Sequence, residues 1–260
     1  MALTKVTGAG LGNVDGPVGV GTASADASAL LTLNKSPTAA FGNPVLQVGG
    51  STYTSGGYYS IGLGYTNATY TEPPAEIAYV PTSDSGGTTG YLTFGTRSVT
   101  TNTAVTESMR IDGYGHVTMP KQSAFFAKSN GNSSAYALDN WHTIAFGTER
   151  FDQNADFASN TFTSPVTGRY QLNVHLRVSD LDNDADYYQF RIVTSNYTYY
   201  FGLIDPGRWS GTLNYYSVHS SVLADMDASD TAYVQIFQTN GSAQTYTNDN
   251  DCHFSGYLVA

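Results

Sequence analysis

Apolar and polar residues alternate with a period of two along most of the second half of the chain, the pattern of strands with one face in a core. In RYQLNVHLRV (169–178), Tyr170, Leu172, Val174, Leu176 and Val178 fall on one face. Arg169, Gln171, Asn173, His175 and Arg177 fall on the other. The first face is expected to be buried, and the second to meet polar surroundings or a neighbouring subunit. SAFFAK (123–128), TIAF (143–146), TFTSP (161–165), YYQFRIV (187–193), YTYYFGLI (197–204), YYSVHSSVLA (215–224), TAYVQIFQ (231–238) and HFSGYLVA (253–260) read as further strands, rich in Tyr, Val, Phe and Ile. Their recurrence about every ten residues predicts an antiparallel sandwich. Roughly 140 residues suffice for such a unit to bury about two-thirds of its unfolded surface.

The first half is patterned differently. VGVGT (18–22), YYSIGLGY (58–65), EIAYV (76–80), GYLTFGT (90–96) and SMRIDGYGHVTM (108–119) read as short strands cut by glycine, which marks bulges or close backbone approach. No long stretch has a 3.6-residue apolar period, so helix is scarce. A Gly-rich β segment that cannot bury enough surface alone needs partner chains.

Composition narrows the function classes. Acidic residues number 21 against 11 basic, for a formal charge of -10. That balance argues against nucleic acid and anionic membrane as partners. With 40% hydrophobic and 13% aromatic residues, the chain is too apolar to be disordered. Cys252 is the single cysteine, which excludes an internal disulfide framework and a cysteine-based zinc site. Cys252 is expected to be a packed apolar residue. No apolar run approaches the ~18 residues of a spanning helix, and the opening MALTKVTGAGLGNVDG has no apolar signal core. Neither membrane insertion nor a secretory signal is expected.

Three places in residues 121–260 resemble the complement-one-q globular head of the tumour-necrosis-factor-like jelly-roll superfamily. RFDQNADFASNTFTSPVTGRYQLNVHL (150–176) carries Phe162, Thr163, Ser164, Pro165, Gly168, Arg169 and Tyr170. SSVLADMDASDTAYVQIFQ (220–238) has Leu223, an acidic turn, then Asp230, Val234 and Ile236. HFSGYLVA ends the chain with Phe254, Ser255, Gly256, Tyr257 and Leu258. The family's collagen stalk is absent. MALTKVTGAG, VGVGT and TESMRIDGYGHVTM (106–119) resemble segments of phage tail fibres and related virion fibres. Together the two resemblances imply an all-β parallel homotrimer. Its expected parts are a virion-attachment segment (1–50), a Gly/Ser/Thr-rich fibrous β stem (51–119) and a jelly-roll β-sandwich head (120–260).

Candidate chemistry lies in loops that the jelly-roll order would gather at the end away from both termini, 179–186, 204–211 and 239–251. Asp180, Asp182, Asp184 and Asp186 alternate in SDLDNDADYY, and the last loop adds Asp249 and Asp251. Alternating carboxylates suit calcium, which takes several oxygen ligands; a solvated acidic loop is the other reading. In DPGRWSG (205–211), Arg208 and Trp209 could bind a receptor by stacking and hydrogen bonding, together with Tyr246; or Trp209 could fold back on the sandwich. Trp141, His175 and His219 are read as packing or interface residues. No recognisable acid/base pair, Gly-x-Ser-x-Gly elbow or phosphate-binding loop is present.

The expected function is therefore a non-enzymatic virion structural protein, tail-fibre-like, made in the host cytoplasm and carried on the virion. Its N-terminal part would meet other virion proteins and its head a host surface receptor, a glycan or an outer-surface protein. The alternatives are a capsid decoration or head fibre docked through its N-terminus, and a glycan-cleaving tail spike.

Overall fold

The computed structural model describes residues 41, 44–49, 54–131, 133–210, 213–242, 245–247 and 251–260. It also describes the backbone of two short paired strands, β1 (Val18–Val20) and β2 (Leu31–Leu33). Most of segment 1–50, as well as Asp249, lies outside the described residues.

An antiparallel sheet comes first: β3 (Tyr59–Leu63), β4 (Ala75–Pro81), β5 (Gly90–Thr96), β6 (Thr106–Ile111) and β7 (Val117–Thr118), in that order. The Gly-flanked apolar runs fall on these strands. The β6–β7 turn is built by Asp112, whose Oδ1 accepts the N–H groups of Tyr114 (2.8 Å) and His116 (2.9 Å). Gly115 completes it at φ +88°, a conformation that costs glycine nothing. Little of this sheet is covered: Ala78 and Val80 are its buried apolar side chains, while Ile61, Leu63, Tyr65 and Tyr70 are exposed.

The remaining strands are β8 (Ala124–Lys128), β9 (Ser133–Ala135), β10 (Trp141–Thr143), β11 (Thr148–Asp152), β12 (Phe157–Ala158), β13 (Thr161–Thr163), β14 (Gly168–Leu181), β15 (Tyr187–Thr194), β16 (Thr198–Ile204), β17 (Leu213–Met226), β18 (Thr231–Thr239), β19 (Thr245–Thr247) and β20 (His253–Leu258). All but β9 and β19, which pair with each other, form two facing antiparallel sheets. One has the order β11-β8-β20-β14-β17, the other β12-β13-β18-β15-β16 with β10 also on β18. The chain passes between the sheets after β14, after β16, after β17 and again before β20, which is the connectivity of a jelly-roll β-sandwich.

The alternation in 169–178 is realised in full. Tyr170, Leu172, Val174, Leu176 and Val178 are buried from one sheet, and Tyr188, Phe190, Ile192, Val234 and Ile236 from the other. Each large apolar side chain removed from water contributes about 1.5–3 kcal/mol. Phe125 stacks on Phe157 and Phe162 at 5.0 and 4.7 Å and meets Phe254 edge-on at 5.1 Å. Cys252 is buried, as its sequence context implies. The TIAF run departs from expectation. Its strand is Trp141–Thr143, after which Ile144 and Phe146 turn into the core.

The register fixes the two ends. Gly168 lies opposite Met226, and Leu181 opposite Leu213; Tyr187 lies opposite Thr239. The loops after β14, β16 and β18 therefore gather at one apex. The chain end, where Ala260 O accepts from Arg169 N, lies at the other.

Candidate functional site

At the apex, the loop between β14 and β15 and the turn after β18 are tied together. Asp182, nearly buried, accepts the Asp184 N–H with Oδ1 (3.0 Å) and the Ser242 N–H with Oδ2 (2.7 Å). Its own N–H donates to the Tyr188 hydroxyl at 2.9 Å. Asp186 Oδ2 accepts from the Asn240 side-chain amide. Asp180, at φ +56°, and Asp184 are exposed. Asp251 pairs with Arg177 at 3.2 Å. The alternating aspartates thus do not converge. No three His, Cys, Asp or Glu among the described residues form a metal-holding group. The reason is local. Asp182 spends its oxygens on backbone N–H groups, and Asp186 gives one of its oxygens to the Asn240 amide.

Arg208 and Trp209 follow β16 in a short 3-10 turn led by Pro206. Arg208 is 84% exposed and bonds Asp205 through Nε at 3.1 Å. Trp209 is half-buried, packed on the core with its ring 5.7 Å from Tyr216. Of the two readings of this tryptophan, folding back fits its position. Tyr246 lies in β19, paired with Ser134 of β9.

A second cluster, unforeseen from the sequence, lies on the outward face of the β18-β15-β16 sheet. The register sets Trp141 opposite Phe237, and Arg191 opposite both Gln235 and Tyr200. The Arg191 guanidinium carbon sits 3.7 Å over the Trp141 ring and 6.0 Å from that of Tyr200. Its Nε and Nη2 donate to Gln235 Oε1 at 2.9 and 2.6 Å. Trp141 does pack, but on the outside of the sandwich. The available signal was the odd-numbered face of YYQFRIV, where Tyr187, Gln189 and Arg191 alternate with buried residues.

The outward face of the other sheet carries a row of imidazoles. His219, His175 and His253 stand side by side across β17, β14 and β20, followed by Lys128 on β8. The His175 and His253 rings stack at 5.5 Å, and Phe126 stacks on His253 at 4.9 Å. Partial burial, then the neighbouring His253 and His219, hold the His175 pKa below its usual value, with Asp251 opposing them. A recess of about 480 Å³ is lined here by Phe126, Lys128, Arg150, His175, Asp251 and His253. On the same face, Phe151, Tyr215, Leu223 and Tyr257 are about half exposed.

No protein-family model matches the chain, and no curated protein matches it. Solved structures do resemble it. The globular domain of zebrafish complement 1qA aligns at 15% identity, over 54% of this chain and 98% of that one, with a TM-score of 0.39. Murine APRIL aligns at 11% identity over 54% and 100%, with a TM-score of 0.39. The Eiger TNF of S. frugiperda aligns at 12% over 54% and 92%, again at 0.39. The jelly-roll assignment itself rests on the strand order and register of the sandwich.

Proposed function

We propose that the chain is a non-enzymatic virion appendage protein, tail-fibre-like and homotrimeric, whose sandwich contacts a host surface receptor. Residues 1–50 attach to other virion proteins, 51–119 form the stem, and 120–260 form the head. The observation that carries the reading is the uncovered apolar set Phe151, Tyr215, Leu223 and Tyr257 on the β11-β8-β20-β14-β17 face. Several exposed side chains of this size on one sheet face mark a surface that a partner covers. The occupant is two further copies. A second uncovered sheet precedes the sandwich in the same chain, so association in register covers both at once, and a closed ring leaves neither exposed. Three heads on one stem would also turn weak single contacts into firm attachment. The virion setting comes from the resemblance of 106–119 and the Gly-rich runs to virion fibres.

Two measurements test it. Sedimentation equilibrium of the purified chain should give three times 27.8 kDa; a folded monomer at micromolar concentration overturns the trimer. Labelled protein should bind host cells saturably and compete with virions for adsorption, and antibody-gold should mark the tail. Label on the capsid shell would favour the decoration alternative, and release of reducing sugar would favour the spike.

A further inference from the structure

We propose that the outward face of β10, β18, β15 and β16 is a saccharide subsite for an acidic sugar, whose carboxylate is taken by Arg191 and whose ring lies against Tyr200 and the Trp141 edge. This deepens the receptor-binding reading by naming the class of ligand.

The face is outward because Tyr188, Phe190 and Ile192 of β15, with Val234 and Ile236 of β18, fill the core from its other side. What remains outside is rich in aromatic rings. Trp141, Tyr187, Arg191, Tyr200, Gln235 and Phe237 come from four adjacent strands. The Trp141 and Phe237 rings lie 5.1 Å apart, and Tyr187 stacks on Phe237 at 5.9 Å. Trp141 and Tyr200 meet edge-on at 6.0 Å. Tyr200 is 57% exposed.

Arg191 is fixed before any ligand arrives. Stacking on Trp141 sets its plane, and two bonds to Gln235 Oε1 set its rotation. Nη1 reaches the Tyr200 hydroxyl at 3.4 Å. A guanidinium has five donors, so one is left on each terminal nitrogen. Among the described residues nothing accepts from these two, and no ion pair includes Arg191. A fork of two N–H groups fits a carboxylate bidentately, and holding it in advance removes the side-chain entropy cost of binding. Flanking aromatic faces accept the apolar C–H side of a pyranose. A single cation in a strongly acidic molecule does not suit a phosphate polymer.

The test uses the full chain. Glucuronate-terminated and sialyl-terminated trisaccharides are titrated by saturation-transfer NMR, with a neutral trisaccharide as reference. One or both acidic probes should bind, the neutral one at least tenfold more weakly. Arg191→Gln should cost tenfold or more in affinity and Trp141→Ala a similar factor, with thermal melts confirming that each variant folds. Arg191→Lys, which keeps the charge but loses the fork, should fall between. Absence of binding by both acidic sugars, or wild-type affinity in Arg191→Gln, overturns the subsite. Cell binding separates the two readings. If wild-type protein binds cells and Arg191→Gln binds equally well, the receptor contact lies elsewhere on the head and the receptor reading stands. If wild-type protein binds no cells yet binds the acidic sugar, the subsite stands and the receptor reading fails.

Discussion

Asp182 shows how one residue can look like chemistry and serve as structure. Its carboxylate accepts from two backbone N–H groups in different loops. Asp182→Ala should destabilise the sandwich by about 1–3 kcal/mol, because those donors lose their acceptor in a nearly buried place; thermal melts check it. Added calcium should leave the wild-type melting temperature unchanged, and a rise of several degrees would refute that expectation. His175 carries the pH dependence. Its folded-state pKa lies below its unfolded value, so the folded state resists protonation. Stability is full above the unfolded pKa and is lost as pH falls from there through the folded value. Melting temperature should therefore decline on acidification from neutral pH, and His175→Gln should flatten part of that slope.

At the scale of elements, the sequence is most legible where one strand decides its own fate. The period-two run of β14 named its buried face residue by residue, and the Gly-cut runs located β3 to β7. Reading failed where placement depends on partners. Trp141 and Arg191 are fifty positions apart in sequence and meet because β10 and β15 both pair with β18, a sheet order that no local pattern encodes. The alternating aspartates leave two readings open for the same reason: spacing along the chain does not show which way a loop folds. Gly256 is an instance where a strand needs glycine. A Cβ there would lie 2.8 Å from Leu172 Cδ2 and Phe125 Cε1 and 3.1 Å from Gln171 O. Gly256→Val should cost about 1–3 kcal/mol by overpacking, read as a lowered denaturation midpoint.

At the scale of the whole molecule, the uncovered apolar face and the formal charge act against each other in the proposed trimer. Hydrophobic contact draws the copies together, while ten net negative charges on each push them apart across water. Because salt screens the second force over about 10 Å at 0.1 M, dissociation on dilution should be easier at low ionic strength. A double change, Leu223→Glu with Tyr257→Glu, should yield folded monomer by sedimentation while leaving the far-ultraviolet β signature in place. A trimer that persists in that variant would move the seam to another face.

The join between the N-terminal sheet and the sandwich is short and clamped. Gln153 Nε2 donates to Met119 O at 2.7 Å, Asn154 Nδ2 to Lys121 O at 3.1 Å, and Gln122 Nε2 to Leu258 O at 2.6 Å. These bonds hold the segment after β7 against the sandwich. In the proposed appendage, a linker held in this way would pass a tilt of the stem on to the heads, as a lever does.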